Sequence, residues 1–363
     1  MSKARELANL GNAYDDGALS NRNMVVNGDM KISQRGTSVS SVTGSAYHCC
    51  DRFYTVANAL GTWTVSQASD GPSGFSNSLK YECTTADASP AAADYFVLQT
   101  RMEGQNLQQI AKGTSDAKPI ALSFWVKSNV TGTYALYLRD IDNNRGVGAN
   151  YTVSSSGTWE YKTVIIPADT TGTLDNDNDL SFSLEWWLGS GTDYSSGTMP
   201  TTWGTENTVD RNAGSTVNVG DTIGNTWQIT GVQLEIGDSS TPFEHRSYAD
   251  QLQACQRYYQ RWSSDGAQPY FSTGRNHSGT VSIFTVNYRT EMRGRPSLSI
   301  SAAADIKVYD GYDRTCTGVT LNGNALNTCG FNVNGLSSGV GNNYAAMAYF
   351  ISTSGYFALD AEL

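Results

Sequence analysis

Charge is what this chain has least of. Asp, Glu, Lys and Arg make up only 16% of its 363 residues, against roughly 25% in an average soluble domain. The apolar share is also low, at 39%. A helix-rich enzyme, which draws on Leu, Ala, Glu and Lys, is therefore a poor description. Histidine is nearly absent. His48, His245 and His277 stand far apart and leave little general-base or metal-binding capacity. Among the six cysteines (Cys49, Cys50, Cys83, Cys255, Cys316 and Cys329) no C-x-x-C pair exists, which excludes a zinc ribbon or a thioredoxin-type site. Cys49 and Cys50 do not bridge each other without strain, and reduced thiols are expected throughout.

Long apolar runs are missing too. The longest, near residues 344–351, is far too short to span a bilayer. Met1-Ser2-Lys3-Ala4-Arg5-Glu6-Leu7 lacks the apolar centre of a secretory leader, so synthesis in a cytoplasm is expected, without membrane insertion. No run of Lys or Arg occurs, and the formal net charge is −10. Sequence-independent nucleic-acid binding needs a basic face and is not expected.

What remains is turn chemistry and aromatic residues. The chain carries 36 Gly and 20 Tyr, a composition of short strands and many turns. Alternation supports this. Ile120, Leu122, Phe124 and Val126 share one phase, while Ala121, Ser123, Trp125 and Lys127 share the other. Phe182, Leu184, Trp186 and Leu188 stand against Ser181, Ser183, Glu185 and Trp187 in the same way. Such a period of two marks half-buried antiparallel strands. Trp227 and Ile229 keep one phase, Val232, Leu234 and Ile236 the other, and the slip at Gly231 predicts a β-bulge. About ten such strands predict a jelly-roll sandwich over residues 24–243.

Tyr248, Leu252, Cys255, Tyr259 and Trp262 follow a 4-3-4-3 spacing, the seam of a short helix over residues 244–262. Two heptads do not hold an isolated coiled coil, but they suit a collar between chains already held together. After it, strand patterns return over residues 263–363 and predict a second, smaller β-sandwich. Residues 1–23 form a separate piece whose Leu7 and Leu10 make a short apolar edge, expected to anchor on a partner. The fold expected is all-β.

Several strings carry a resemblance. Met24-Val25-Val26-Asn27-Gly28-Asp29-Met30, Ser33-Gln34-Arg35-Gly36 and Asp51-Arg52-Phe53 come first. Ser123-Phe124-Trp125-Val126-Lys127, Pro167-Ala168-Asp169-Thr170 and Val232-Gln233-Leu234-Glu235 follow. After them come Ser240-Thr241-Pro242-Phe243-Glu244-His245-Arg246-Ser247, Met292-Arg293-Gly294-Arg295-Pro296 and Asp360-Ala361-Glu362-Leu363. In this order they resemble bacteriophage tail-fibre and virion structural proteins. That resemblance implies a homotrimeric receptor-binding fibre of a virion, attached to other tail or baseplate proteins by its N-terminus and binding a host surface glycan. A purely structural tail component is the alternative, and a glycan-cleaving depolymerase a further one. The first module is also similar to jelly-roll carbohydrate-binding modules, which commonly hold a structural calcium on an Asp where this chain has Gly231.

Candidate chemistry is sparse. Asp175-Asn176-Asp177-Asn178-Asp179 alternates oxygen ligands, but the Gly and Glu of a calcium loop are replaced by Leu180 and Trp186, so no metal is expected there. Gly335-Leu336-Ser337-Ser338-Gly339 matches a nucleophile-elbow string, yet no His follows it. No catalytic residue and no cofactor are expected. Aromatic side chains are the better candidates, because sugars stack their apolar ring faces on them. Trp187 is expected on the solvent side of its strand and Trp203 in a long loop. Tyr309, Tyr312 and Tyr344 flank turns of the distal module, the end expected to meet a host.

Overall fold

In the computed structural model, which describes residues 21–264, 268–337 and 341–363 together with Lys3, Arg5 and Gly266, apolar alternation builds sheets at once. Leu7 and Leu10, the expected anchor, lie outside the described residues. The chain divides into two units, one of residues 1–251 with Leu363, the other Leu252–Glu362.

The first unit contains, among its described residues, β1 (Ser38–Val42), β2 (Ala46–Tyr47), β3 (Phe53–Asn58), β4 (Thr62–Ala68), β5 (Ser78–Thr85), β6 (Tyr95–Glu103), β7 (Ile120–Ser128), β8 (Gly132–Asp140), β9 (Arg145–Val153), β10 (Glu160–Ile166), β11 (Leu180–Ser190), β12 (Gly204–Thr205) and β13 (Thr226–Ile236). They form two antiparallel sheets, ordered β1-β4-β5-β13-β7-β10 and β12-β9-β8-β11-β6-β3-β2. Strands distant in sequence lie side by side, as in a jelly-roll sandwich.

The apolar phase of each strand points between the sheets. Ile120, Leu122, Phe124 and Val126 of β7 are buried against Phe182, Leu184, Trp186 and Leu188 of β11 in one core. Ring centroids of Phe124 and Trp186 lie 5.8 Å apart, edge to face, and those of Trp63 and Phe96 are 4.2 Å apart, stacked. Each such burial stabilises by about 1.5–3 kcal/mol.

The slip at Gly231 is a bulge. The β13–β7 register shifts between Thr230 and Gln233, and Gly231 has φ +63°, the left-handed region that favours glycine. A Cβ there would lie 2.8 Å from Phe75 Cζ. A side chain does not fit there without displacing Phe75, and glycine supplies no carboxylate for a cation.

Beyond the bulge, β13 turns polar side chains toward the returning chain. Glu235 accepts from Thr241 N (2.8 Å) and Oγ1 (2.6 Å). Gln233 Nε2 donates to Glu235 Oε1 (2.9 Å), and Gln233 Oε1 accepts from Glu244 N (2.7 Å). The Glu244 carboxylate then accepts from the N–H groups of Asn21 (2.7 Å) and Asn23 (3.0 Å) and pairs with Arg246 (3.0 Å). Burial raises the Glu244 pKa, but the Asn23 N–H and Arg246 outweigh it and hold the group below its usual value. Asn23 completes the clasp by bonding Val232 O and Leu234 N. The 232–246 string therefore fastens the first and last segments of the sandwich together.

Two α-helices follow among the described residues, α1 (Thr192–Ser195) and α2 (Tyr248–Gln256). The expected collar helix stops there. Tyr248, Leu252 and Cys255 lie on α2, but Tyr259 and Trp262 lie in a strand, β14 (Tyr259–Ser263). Cross-strand pairing is the reason: Tyr259 faces Asp360 and Trp262 faces Phe357, and sheet partners override a weak helical period. Tyr248 is exposed while Cys255 and Tyr259 are buried.

The second unit continues with β15 (Tyr270–Ser278), β16 (Val281–Asn287), β17 (Ser297–Ile300), β18 (Ile306–Tyr309), β19 (Asp313–Thr315), β20 (Gly318–Asn324), β21 (Thr328–Asn334), β22 (Ala345–Phe350) and β23 (Tyr356–Asp360). The sheets are β14-β23-β17 and β19-β18-β22-β15-β16-β21-β20. Phenylalanines fill the space between, with Phe271 and Phe350 stacked at 4.4 Å and Phe331 and Phe357 tilted against each other at 4.9 Å. The class is all-β, as the alternation predicts.

Candidate functional site

The outer face of the seven-stranded sheet in the first unit carries an unusual density of polar groups. Period two forces this: the residues between the core positions of β6, β8 and β11 must point outward. Three cross-strand rows result. Ser183 stands opposite Arg101 on one side and Arg139 on the other. Glu185 stands between Gln99 and Tyr137, and Trp187 between Val97 and Ala135. Of these, Arg101, Arg139, Ser183, Gln99 and Trp187, with Tyr95, Tyr194 and Arg211, line a cleft of about 210 Å³.

Glu185, in the row between Ser183 and Trp187, is fully buried and holds the cleft residues Arg211 and Gln99. Its Oε1 accepts from Arg211 Nη2 (2.6 Å) and Gln99 Nε2 (2.9 Å). Its Oε2 accepts from Arg211 Nε (3.1 Å) and Trp187 Nε1 (3.2 Å). A buried carboxylate is costly unless paired and hydrogen-bonded in this way. Burial pulls the Arg211 pKa down, but the Glu185 charge more than offsets it, and the net shift is upward. Arg139 reaches Glu206 at 2.7 Å and lies 3.9 Å from Glu185. The Tyr137 phenol, desolvated and beside Glu206 and Glu185, is pushed well above its usual value.

Aromatic rings form one wall. Tyr194, on α1, meets Tyr95 at 4.8 Å and Trp187 at 5.3 Å, and the Arg211 guanidinium lies 5.1 Å from the Trp187 ring. Both tyrosines keep part of their surface open. Trp187 does not: only 1% of it is exposed. It occupies the outward face, as alternation predicts, but Tyr95, Tyr194 and Met199 cover it. Its expected solvent exposure is thus corrected. Trp203 lies elsewhere, half-buried, donating its Nε1 to Pro167 O (2.8 Å) and stacking on Phe182 at 5.8 Å. It shields a buried ion cluster in which Lys112 Nζ meets Asp140 (2.6 Å) and Asp169 (2.9 Å).

The three tyrosines expected to contact a host are on the second unit and exposed. Tyr309 lies 6.5 Å from Tyr270, which in turn meets Tyr349 at 5.2 Å. Tyr312, 72% exposed, sits between β18 and β19 with Arg314 over its ring at 5.3 Å. Arg314 and Asn276 both bond Asp310. Burial raises the Asp310 pKa, and these two partners pull it below its ordinary value. Tyr344 is also exposed, before β22.

Other candidates carry less. His245 packs on Phe243 and Phe75. Ser337 is described, whereas Ser338 and Gly339 of the same string lie outside the described residues. All six cysteines are buried. Among the described residues, no group of three or more His, Cys, Asp or Glu side chains is placed to hold a metal ion, and no helix is long and apolar enough to cross a membrane.

No family model matches the chain, and no curated protein matches it significantly. Solved structures do. The enzymatically active domain of tailspike protein 4 of bacteriophage CBA120 aligns at 13% identity over 60% of this chain, with a TM-score of 0.32. The alignment spans only 22% of that tailspike chain. The family 11 carbohydrate-binding module of cellulase Lic26A-Cel5E of Clostridium thermocellum aligns at 12% identity over 57% of this chain and 100% of its own, with a TM-score of 0.29. TmCBM61, in complex with β-1,4-galactotriose, aligns at 12% over 60% of this chain and 100% of its own, also at 0.29. These superpositions are loose.

Proposed function

We propose that this chain is a non-catalytic glycan-binding protein whose first unit grips a sugar in the cleft above Glu185. The observation that carries the reading is the pairing of partly open Tyr95 and Tyr194 rings with fixed charged groups at one concave face. Tyrosine faces take the apolar side of a sugar ring, and planar charged groups take its hydroxyls. At about 210 Å³ the cleft is below the usual 300–1,000 Å³ of pockets for drug-sized ligands, which suits a single sugar ring. Cleavage would need two carboxylates free to act on a glycosidic bond. Glu185 is held by Arg211 and Glu206 by Arg139, which favours binding over hydrolysis.

The sequence resemblance supports placing this binding on a phage virion, as a homotrimeric tail fibre attached by its N-terminus and recognising a host surface glycan. Three weak sites on one fibre then combine into useful avidity. The exposed Tyr270, Tyr309 and Tyr312 surface offers a second contact with the host.

A glycan array probed with the full chain tests the proposal. Binding that falls at least about tenfold in Tyr194→Ala, with an unchanged melting temperature, is the expected result. An array without signal, together with no binding to any host cell, would leave the purely structural tail component as the reading. Mass photometry checks the trimer.

A further inference from the structure

The charged side chains that line the cleft are already engaged within the protein. Arg139 Nη2 donates to Glu206 (2.7 Å), and Arg211 gives Glu185 two hydrogen bonds. Arg101 donates its Nε to Gln99 (3.1 Å) and its Nη1 to an oxygen of Leu363 (2.6 Å). Its guanidinium also lies 3.9 Å from the centre of the Tyr54 ring. An acidic sugar would compete with Glu185 or Glu206 for an arginine, and a basic one with an arginine for a carboxylate. Either must break an existing pair to make its own, so a charged ligand gains little.

Two polar atoms of the cleft stand outside this pattern. Ser183 is 1% exposed and its Oγ has no hydrogen-bond partner, and the buried Nε of Arg139 has none either. A buried polar atom left unpaired is costly and asks for an explanation. The two residues line the cleft and are direct cross-strand neighbours on β11 and β8, strands about 4.8 Å apart. Together they offer one N–H donor and a serine hydroxyl that both donates and accepts. A single outside hydroxyl matches that set. It accepts from Arg139 Nε and exchanges a hydrogen bond with Ser183 Oγ in either direction.

Resting on the cleft reading above, we infer that the bound sugar is neutral and that Ser183 and Arg139 together read one of its hydroxyls. Ser183 precedes Glu185 by two positions on β11, which is about 7 Å along the strand. A ring seated above the Glu185 row spans that gap with its own radius and one hydrogen bond. Discrimination follows from the same two atoms. A sugar that lacks this hydroxyl leaves both unpaired again, and a site built around a hydroxyl rejects the analogue without it.

The test probes an array of neutral and acidic bacterial glycans with the full chain, each acidic member printed beside its carboxyl-reduced product. The reduced product is expected to bind at least as well as its acidic parent. Monodeoxy analogues of the strongest-binding sugar, one hydroxyl deleted at a time, are then titrated in solution. One analogue is expected to bind roughly tenfold more weakly than the complete sugar. Ser183→Ala lowers affinity for the complete sugar by a similar factor and leaves that analogue unchanged, because the two losses are the same contact. The deoxy series on the parent chain decides the matter even where the variant fails to fold. A preference for acidic members over their reduced products overturns the neutral class. Analogues that all bind like the complete sugar, or two losses that simply add, overturn the hydroxyl contact. Both results leave the glycan reading intact as long as Tyr194→Ala weakens binding. A silent array, or binding indifferent to Tyr194→Ala, overturns the cleft reading and this inference with it.

Discussion

Glu185→Ala is the substitution that puts the greatest strain on this reading of the cleft. Four hydrogen bonds end on that carboxylate, two of them from Arg211. Removing it leaves the Arg211 side chain, 13% exposed, with Glu206 at 3.9 Å as its remaining acid. Breaking a buried ion pair from one side costs about 3–5 kcal/mol, because the other charge stays buried. Each kcal/mol lowers the melting temperature by roughly 2–4 °C in a unit of 150–250 residues, so a fall of roughly 6–20 °C is expected. Tryptophan fluorescence during heating isolates the effect, since seven of the eight tryptophans belong to the first unit. The double variant Glu185→Leu/Arg211→Met, which orphans no charge, is expected to regain more than half of the loss. A single variant within about 1 kcal/mol of the parent, or a double variant no better than the single, would refute the reasoning.

Four other outcomes follow from the same physics. Lys112→Met takes an ammonium away from Asp140, Asp169 and the carbonyls of Thr171 and Gly172, and urea unfolding is expected to show a loss of about 3 kcal/mol. The Asp169 pKa is lowered from 3.8 because its bonds from Arg145 and Lys112 outweigh its burial. The stability it contributes is full above that unfolded value and lost as pH falls through the folded one; Asp169→Asn should flatten the acid limb of the urea midpoint against pH, and an unchanged limb would count against the pair. Gly231→Ala places a Cβ at φ +63° and 2.8 Å from Phe75, so equilibrium unfolding should register a cost of about 1–3 kcal/mol. Tyr309→Ala/Tyr312→Ala alters exposed rings and should shift stability by no more than about 0.5 kcal/mol; if host-cell binding persists in it, the receptor contact belongs to the cleft alone.

The period-two pattern makes the sheets legible in the amino-acid sequence alone. Phe182, Leu184, Trp186 and Leu188 enter the core as their phase predicts, and the phase slip at Gly231 is a bulge. Two readings stop at what a local pattern can carry. Alternation assigns Trp187 to the outer face correctly, but it is blind to α1 and Met199 folding over that face. The 4-3-4-3 spacing of Tyr248 to Trp262 is genuine, yet its second half pairs with β23 because a sheet partner is waiting there. The cleft escapes for a related reason. Arg101, Ser183 and Arg139 come from three strands far apart in the chain, and only the register across β6, β11 and β8 makes them neighbours.

The contrast between the clasp and the cleft explains why resemblance and function separate in this chain. Gln233, Glu235 and Glu244 belong to the string most conspicuous in the sequence, and with Asn23 they spend their hydrogen bonds on one another, on Thr241 and on nearby backbone. A string so satisfied has nothing left to offer a ligand; it tells how the sandwich closes. Ser183 and the Nε of Arg139 are inconspicuous in sequence and unpartnered in the fold. Groups left unpaired on a rigid sheet, beside a carboxylate whose own bonds are complete, are preorganised for an outside partner. On the proposed glycan reading, specificity changes through outward positions of β6, β8 and β11, while the string that carries the resemblance stays as it is.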